Sequence, residues 1–145
     1  MTTPADELRT AAAKLRKLVA DLPATGWGDR PWHVEECSDT DDMSPCPCIV
    51  AQGEYRDFDQ PQEPLIQYVA DAETVEHGAY IAAMHPGVAS AFANLLESVS
   101  YSPDDEALND PGSDRHDACD RAVCIPAAAL AVARQINATG SPAAG

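Results

Sequence analysis

The first apolar pattern in the chain is helical. Leu8, Ala11, Ala12, Leu15, Leu18, Val19 and Leu22 fall on one face, while the charged residues fall mainly on the others. Thr3-Pro4-Ala5-Asp6 supplies a hydroxyl cap, a proline in the first turn and an acid three residues after the cap, a capping box with Asp in place of Glu. Pro23 stops the helix, and the Pro/Gly connector PATGWGDRP follows. The spacing then changes to that of strands. Trp32, Val34 and Glu36 alternate with His33 and Glu35, Cys48-Ile49-Val50-Ala51 forms a short apolar run, and 65–70 forms a third. Three short strands in succession predict an antiparallel meander with helices packed on one face.

From Thr74 onward the period is helical again. Asp71 or Thr74 caps a helix carrying Val75, Ala79, Ala82 and Ala83, with Glu73 and Glu76 near its positive end. His85-Pro86-Gly87 must break it, because proline disfavours helical geometry in the residue before it yet suits a helix's first turn. His85 is placed to cap the next helix, whose expected apolar face is Val88, Ala91, Phe92, Leu95, Leu96 and Val99. These two helices make a corner. Beyond Tyr101 the chain turns polar, and 101–114 reads as a solvated, mobile acidic loop. A short helix from Arg115 or Asp117 to Cys124 is expected next. A final helix entered at Pro126 carries Ile125, Ala129, Leu130, Ala133 and Ile136 on its apolar face, and 138–145 reads as a disordered tail. The fold class expected is therefore α+β: a single small domain over 1–137, with an N-terminal helix, a short antiparallel three-stranded sheet, the helical corner and a C-terminal helix.

Composition narrows the function. At 145 residues the chain is long enough for one domain with a core. No apolar run approaches the ~20 residues of a membrane span. The polar N-terminus does not resemble a signal peptide, so a soluble cytoplasmic protein with no membrane partner is expected. The net charge of −15, from 24 acidic and 9 basic residues, argues against direct nucleic-acid binding, because the one basic patch is Arg9, Lys14, Arg16 and Lys17 on the first helix. A solvated acidic surface is the simple reading of that charge, and mimicry of DNA toward a DNA-binding protein is the sharper one. Asp39, Asp41 and Asp42 in the acidic Cys-containing loop 36–47 do not form a calcium loop: no glycine stands at 44, and Val50 occupies the place of the bidentate acid.

Five cysteines, an odd number, argue against a disulfide framework. Zinc takes four ligands, commonly from two close pairs, so Cys46 and Cys48 with two of His116, Cys119 and Cys124 are the candidate metal set. The C-x-C and C-x4-C spacings differ from common zinc knuckles, and Cys48 occupies an inward strand position. Buried or incidental thiols are the simpler reading, and a reversible Cys46–Cys119-type disulfide is a third. His33 reads as an exposed strand residue, and His77 lies on a helix beside an acid. There is no nucleophile elbow, no phosphate loop and no H-E-x-x-H helix. A non-enzymatic protein without catalytic residues is expected, and zinc is the one cofactor to test.

PWHVE at 31–35, IVAQG at 49–53 and HGAYIAAMHPGVASAFANLLESV at 77–99 together resemble the Ead-like early proteins of temperate phages and their actinobacterial prophage relatives. The resemblance covers roughly residues 5–99. It departs at Met84 and His85, at the Cys-containing loop and in the C-terminal extension. It implies a small α+β accessory protein of a phage, prophage or mobile element, acting by contact with a host or phage protein. It carries no catalytic residue to this chain. The alternative is an acidic DNA mimic or a zinc-stabilised inhibitor of a host nucleic-acid-binding protein, and the Ala-rich helix faces also suit a homodimer.

Overall fold

The computed structural model describes residues 1–22, 31–35, 47–52 and 66–139. Cys37 and Cys46, nearly all of the loop 36–47 and the tail from residue 140 lie outside the described residues. The elements in chain order are α1 (Pro4–Ala20), β1 (Trp32–Glu35), β2 (Cys48–Gln52), β3 (Ile66–Asp71), α2 (Val75–Ala83), α3 (Pro86–Ser100), a 3₁₀ turn (Glu106–Leu108) and α4 (Ile125–Ala138). Four helices and an antiparallel three-stranded sheet make this the expected α+β class. The chain forms two compact units, Met1–Asp21 with Ser90–Gly145, and Leu22–Ala89.

The first unit is helical and built on alanine. Ala5, Leu8, Ala11 and Ala12 of α1, Ala93, Leu96 and Val99 of α3, and Ala129, Leu130 and Ala133 of α4 are buried together around Leu108. Small side chains along α1 and α4 let these helices pack closely, so a few leucines fill the remaining space. Both halves of the expected capping box form. The Asp6 N–H donates to Thr3 Oγ1 at 3.0 Å, and the Thr3 N–H donates to Asp6 Oδ2 at 3.1 Å. At the other end of the pair, Lys14 Nζ donates to the Ile136 carbonyl at 2.8 Å and also reaches the Thr139 carbonyl. The lysine thus adds a charged donor at the C-terminal end of α4, where the Ile136 carbonyl also accepts from the Thr139 N–H at 3.2 Å.

Asp6 gives the capping box a pH signature. Arg9 Nη2 donates to its Oδ1, and with the Thr3 N–H on Oδ2 this holds the carboxyl at about 2, against an ordinary 3.8. A carboxyl depressed in the folded state contributes stability above its unfolded value and loses it as pH falls through the folded one. The melting temperature should therefore fall between pH 3.8 and about 2, and Asp6→Asn should flatten that part of the curve. Parallel curves for the two proteins would remove Asp6 from the acid transition.

Three apolar assignments from the periodicity change in the folded chain. On α3 the buried stripe is Ala93, Leu96, Val99 and Ser100, whereas Ala91 and Leu95 of the expected face are exposed. Leu18 and Leu22 near the end of α1, and Ile125 at the start of α4, are exposed as well. The 101–114 stretch is not simply a solvated loop. Its 3₁₀ turn buries Ala107 and Leu108, and Leu108 is 0% exposed. Asp110-Pro111-Gly112-Ser113 closes a turn in which Gly112 takes φ +72°, with the Ser113 N–H donating to the Asp110 carbonyl at 3.1 Å.

The second unit is the meander with α2. The strand order is β1-β2-β3, all pairs are antiparallel, and an irregularity between Ile49 and Val50 shifts the β2–β3 register. Ile49, Val50 and Ala51 are successively buried, so the central strand is covered on both faces. The four residues of β1 are all half-buried, without the alternation expected of them. Asp71 closes β3, which leaves Thr74 as the cap of α2, its Oγ1 accepting from the His77 N–H at 3.2 Å. His85 caps α3 as expected, its Nδ1 accepting from the Gly87 N–H at 3.1 Å. No described helix is long and apolar enough to cross a membrane.

Candidate functional site

Between Asp114 and Cys124 the expected short helix is replaced by a run of turns. The Asp117 N–H donates to the Asp114 carbonyl at 2.8 Å, the Cys119 N–H to the His116 carbonyl at 3.2 Å, and the Val123 N–H to the Asp120 carbonyl at 3.2 Å. Asp120 Oδ1 also accepts from the Ala122 N–H at 2.9 Å. A short acidic side chain that captures a nearby backbone N–H competes with helix propagation. The segment therefore folds back on itself instead of extending, and this brings separated residues together.

His116, Cys119 and Cys124 are the ones it gathers. Their ligand atoms lie within 4.8 Å of one another. His116 Nδ1 is 3.5 Å from Cys124 Sγ, and Cys119 Sγ lies 3.6 Å from the Arg115 carbonyl. The other face of the imidazole meets Asp105, whose Oδ2 is 2.7 Å from His116 Nε2. That separation is short enough for a hydrogen bond, but the ring N–H is not aimed along it. Nε2 is buried without a hydrogen bond, and so is the second carboxylate oxygen, Oδ1. Both side chains are well covered, at 11% and 16% exposure.

The surroundings of Cys119 disfavour its thiolate. Hydrogen bonding to Cys124 pushes the Cys119 thiol up, and burial, the Cys124 sulfur and Asp105 act in the same direction against Arg115. The neighbouring Asp117 anchors the turn: Arg134 Nη1 donates to its Oδ1 at 2.7 Å, while Arg134 Nε donates to Glu7 Oε2 at 2.8 Å. One guanidinium on α4 thereby holds both α1 and the segment that carries His116, and the two carboxylates push its own pKa further up.

Of the five candidate metal residues, the structure brings three together. Cys46 lies outside the described residues. Cys48 lies on β2 in the second unit, where its Sγ is 4.0 Å from the Glu35 carbonyl. Asp105 was not distinguishable in the sequence, because it sits in an acidic run (Asp104, Asp105, Glu106) where every residue looks alike.

A second candidate surface lies on α2. Tyr80 is 74% exposed and Met84 48%, one helical turn apart, with Val75 and Ile81 also exposed. The unit that carries them holds 13 acidic residues against 2 basic ones, a net −11 of the chain's −15. Comparison of the chain with protein-family models, with curated proteins and with solved structures finds no match.

Proposed function

We propose that this chain is a non-enzymatic accessory protein that works by binding another protein, using the exposed face of α2. The observation that carries this reading is the set of large apolar side chains, Tyr80 and Met84 foremost, left in solvent on a strongly acidic unit. Exposed aromatic and methionine side chains are the groups that supply contact energy at protein interfaces. The net negative charge of the unit suits a partner with a basic surface and speeds encounter with it. The resemblance to Ead-like phage proteins supports placing such a partner in a bacterial host, with the chain encoded by a phage, prophage or mobile element. If the partner is a nucleic-acid-binding protein, the acidic unit competes with its nucleic acid.

The test is capture from nuclease-treated actinobacterial lysate with the tagged chain and its Tyr80→Ser/Met84→Ser variant, in low and moderate salt. A dominant basic protein should be held by the wild-type chain and lost by the variant, with weaker capture as salt rises. Both positions are exposed, so helix content should not change. Equal capture by both proteins, or no capture by either, would overturn the reading.

A further inference from the structure

We propose that His116 Nδ1, Cys119 Sγ and Cys124 Sγ form a binding site for one zinc-type divalent cation, oriented from outside by Asp105. Zinc–sulfur and zinc–nitrogen bonds of about 2.3 and 2.0–2.1 Å at a tetrahedral angle put the two ligand atoms about 3.6 Å apart. The Cys124 Sγ–His116 Nδ1 separation is 3.5 Å. No residue has to move far for these atoms to share a metal. The third ligand atom, Cys119 Sγ, already lies within 4.8 Å of both.

Asp105 is the independent observation. A histidine that binds metal through one ring nitrogen commonly turns the other toward a carboxylate, which sets the tautomer and raises the basicity of the ligand. His116 has this arrangement, with Nδ1 toward the sulfurs and Nε2 toward Asp105 at 2.7 Å. The buried carboxylate oxygen and ring nitrogen lack a formed hydrogen bond. A small rotation of the imidazole, as Nδ1 takes up the metal, would aim the Nε2 proton at the carboxylate. Two sulfurs and an imidazole favour zinc over hard, oxygen-seeking cations. With three protein ligands, the fourth tetrahedral position falls to water or to another donor.

The Cys119 and Cys124 thiol protons must leave to solvent when the metal binds, so binding releases protons and weakens as pH falls. A metal bridging 116 to 124 would also fix the turns that form one wall of an apolar cavity of about 350 Å³, where Val123 and Ile125 meet Phe92 and Leu95. This proposal does not depend on the partner-binding reading, since zinc alone is the probe.

Reduced full-length protein should be titrated with zinc against a chromophoric chelator. One zinc per chain is expected, with Cys119→Ser or Cys124→Ser binding far more weakly. Asp105→Asn should keep the stoichiometry but bind about 10–100-fold more weakly, as losses of outer-shell partners do. Because a variant can fail to fold, the unmutated chain gives a second readout: zinc should protect Cys119 and Cys124 from alkylation, as mapped on peptides. Absence of zinc binding would overturn the proposal. Unchanged affinity in the double cysteine variant would do so too, since it puts the metal on other thiols. So would alkylation of Cys119 and Cys124 at the zinc-free rate, or a Cys119–Cys124 disulfide that forms in preference to the metal complex.

Discussion

Replacing Leu108 with alanine is expected to destabilise the protein by about 2–5 kcal/mol, the range for truncating a buried leucine where the surroundings cannot collapse. Leu108 is 0% exposed and sits among Leu8, Leu96 and Leu130, in a core otherwise made largely of alanine. Alanines cannot change rotamer to fill a hole, so the upper half of that range is expected. Set against the roughly 5–15 kcal/mol that typically holds a domain, the loss is large. Urea denaturation should show a lower midpoint with an unchanged slope. A loss below about 1 kcal/mol would mean that the 101–114 segment does not close the helical core. Asp105 depends on the same packing, because the 3₁₀ turn that starts at the next residue holds it beside His116.

The next largest effect is expected in the other unit, at Gly78. A Cβ placed there would lie 3.1 Å from Val34 Cγ2 on β1 and 3.2 Å from Ala72 Cβ, so α2 and β1 meet almost backbone to side chain. Gly78→Leu should cost about 1–3 kcal/mol through overpacking, since Val34 is β-branched and stiff within a strand. Gly78→Ala should stay within about 1 kcal/mol of wild type, because the helix propensity gained by removing a mid-helix glycine offsets the contact. Hydrogen exchange should report the leucine variant as faster opening at the amides of α2 and β1. A leucine variant with wild-type protection would show that α2 does not rely on this close approach.

These two positions also mark the limits of what local pattern can tell. Leu108 lies in SPDDEALNDPGSD, a run whose polarity dominates any periodicity, and one leucine in it carries no sign of being buried. Its burial depends on helices that are distant in the chain. Gly78 looks like a weak point in a helix until Val34 is seen against it. The candidate site has the same character. Its His-x2-Cys-x4-Cys spacing was visible as a set of metal-competent residues, yet the expected helix would have spread them around an axis. The turns closed on the carbonyls of Asp114, His116 and Asp120 gather them instead, and Asp105 arrives from another segment.

What the sequence determined by itself is whatever depends on near neighbours. The Thr3–Asp6 capping box, the break at His85-Pro86 and the His85 cap on Gly87 follow from contacts spanning two or three residues, whereas the choice of Thr74 over Asp71 as the cap of α2 waited on where β3 ends. Apart from the 115–124 segment, the order of helices and strands and the antiparallel meander follow from hydrophobic period and short connections. Tertiary structure alone decided which side of α3 is buried, because Ala93 and Leu95 are both apolar and only the packing partners choose between them. It also decided that Leu108 enters the core, that Tyr80 and Met84 stay in solvent, and that His116, Cys119 and Cys124 converge beside Asp105. Caps and periods are local energies that add along the chain, whereas burial and ligand geometry depend on residues far apart in sequence, which only the folded chain brings together.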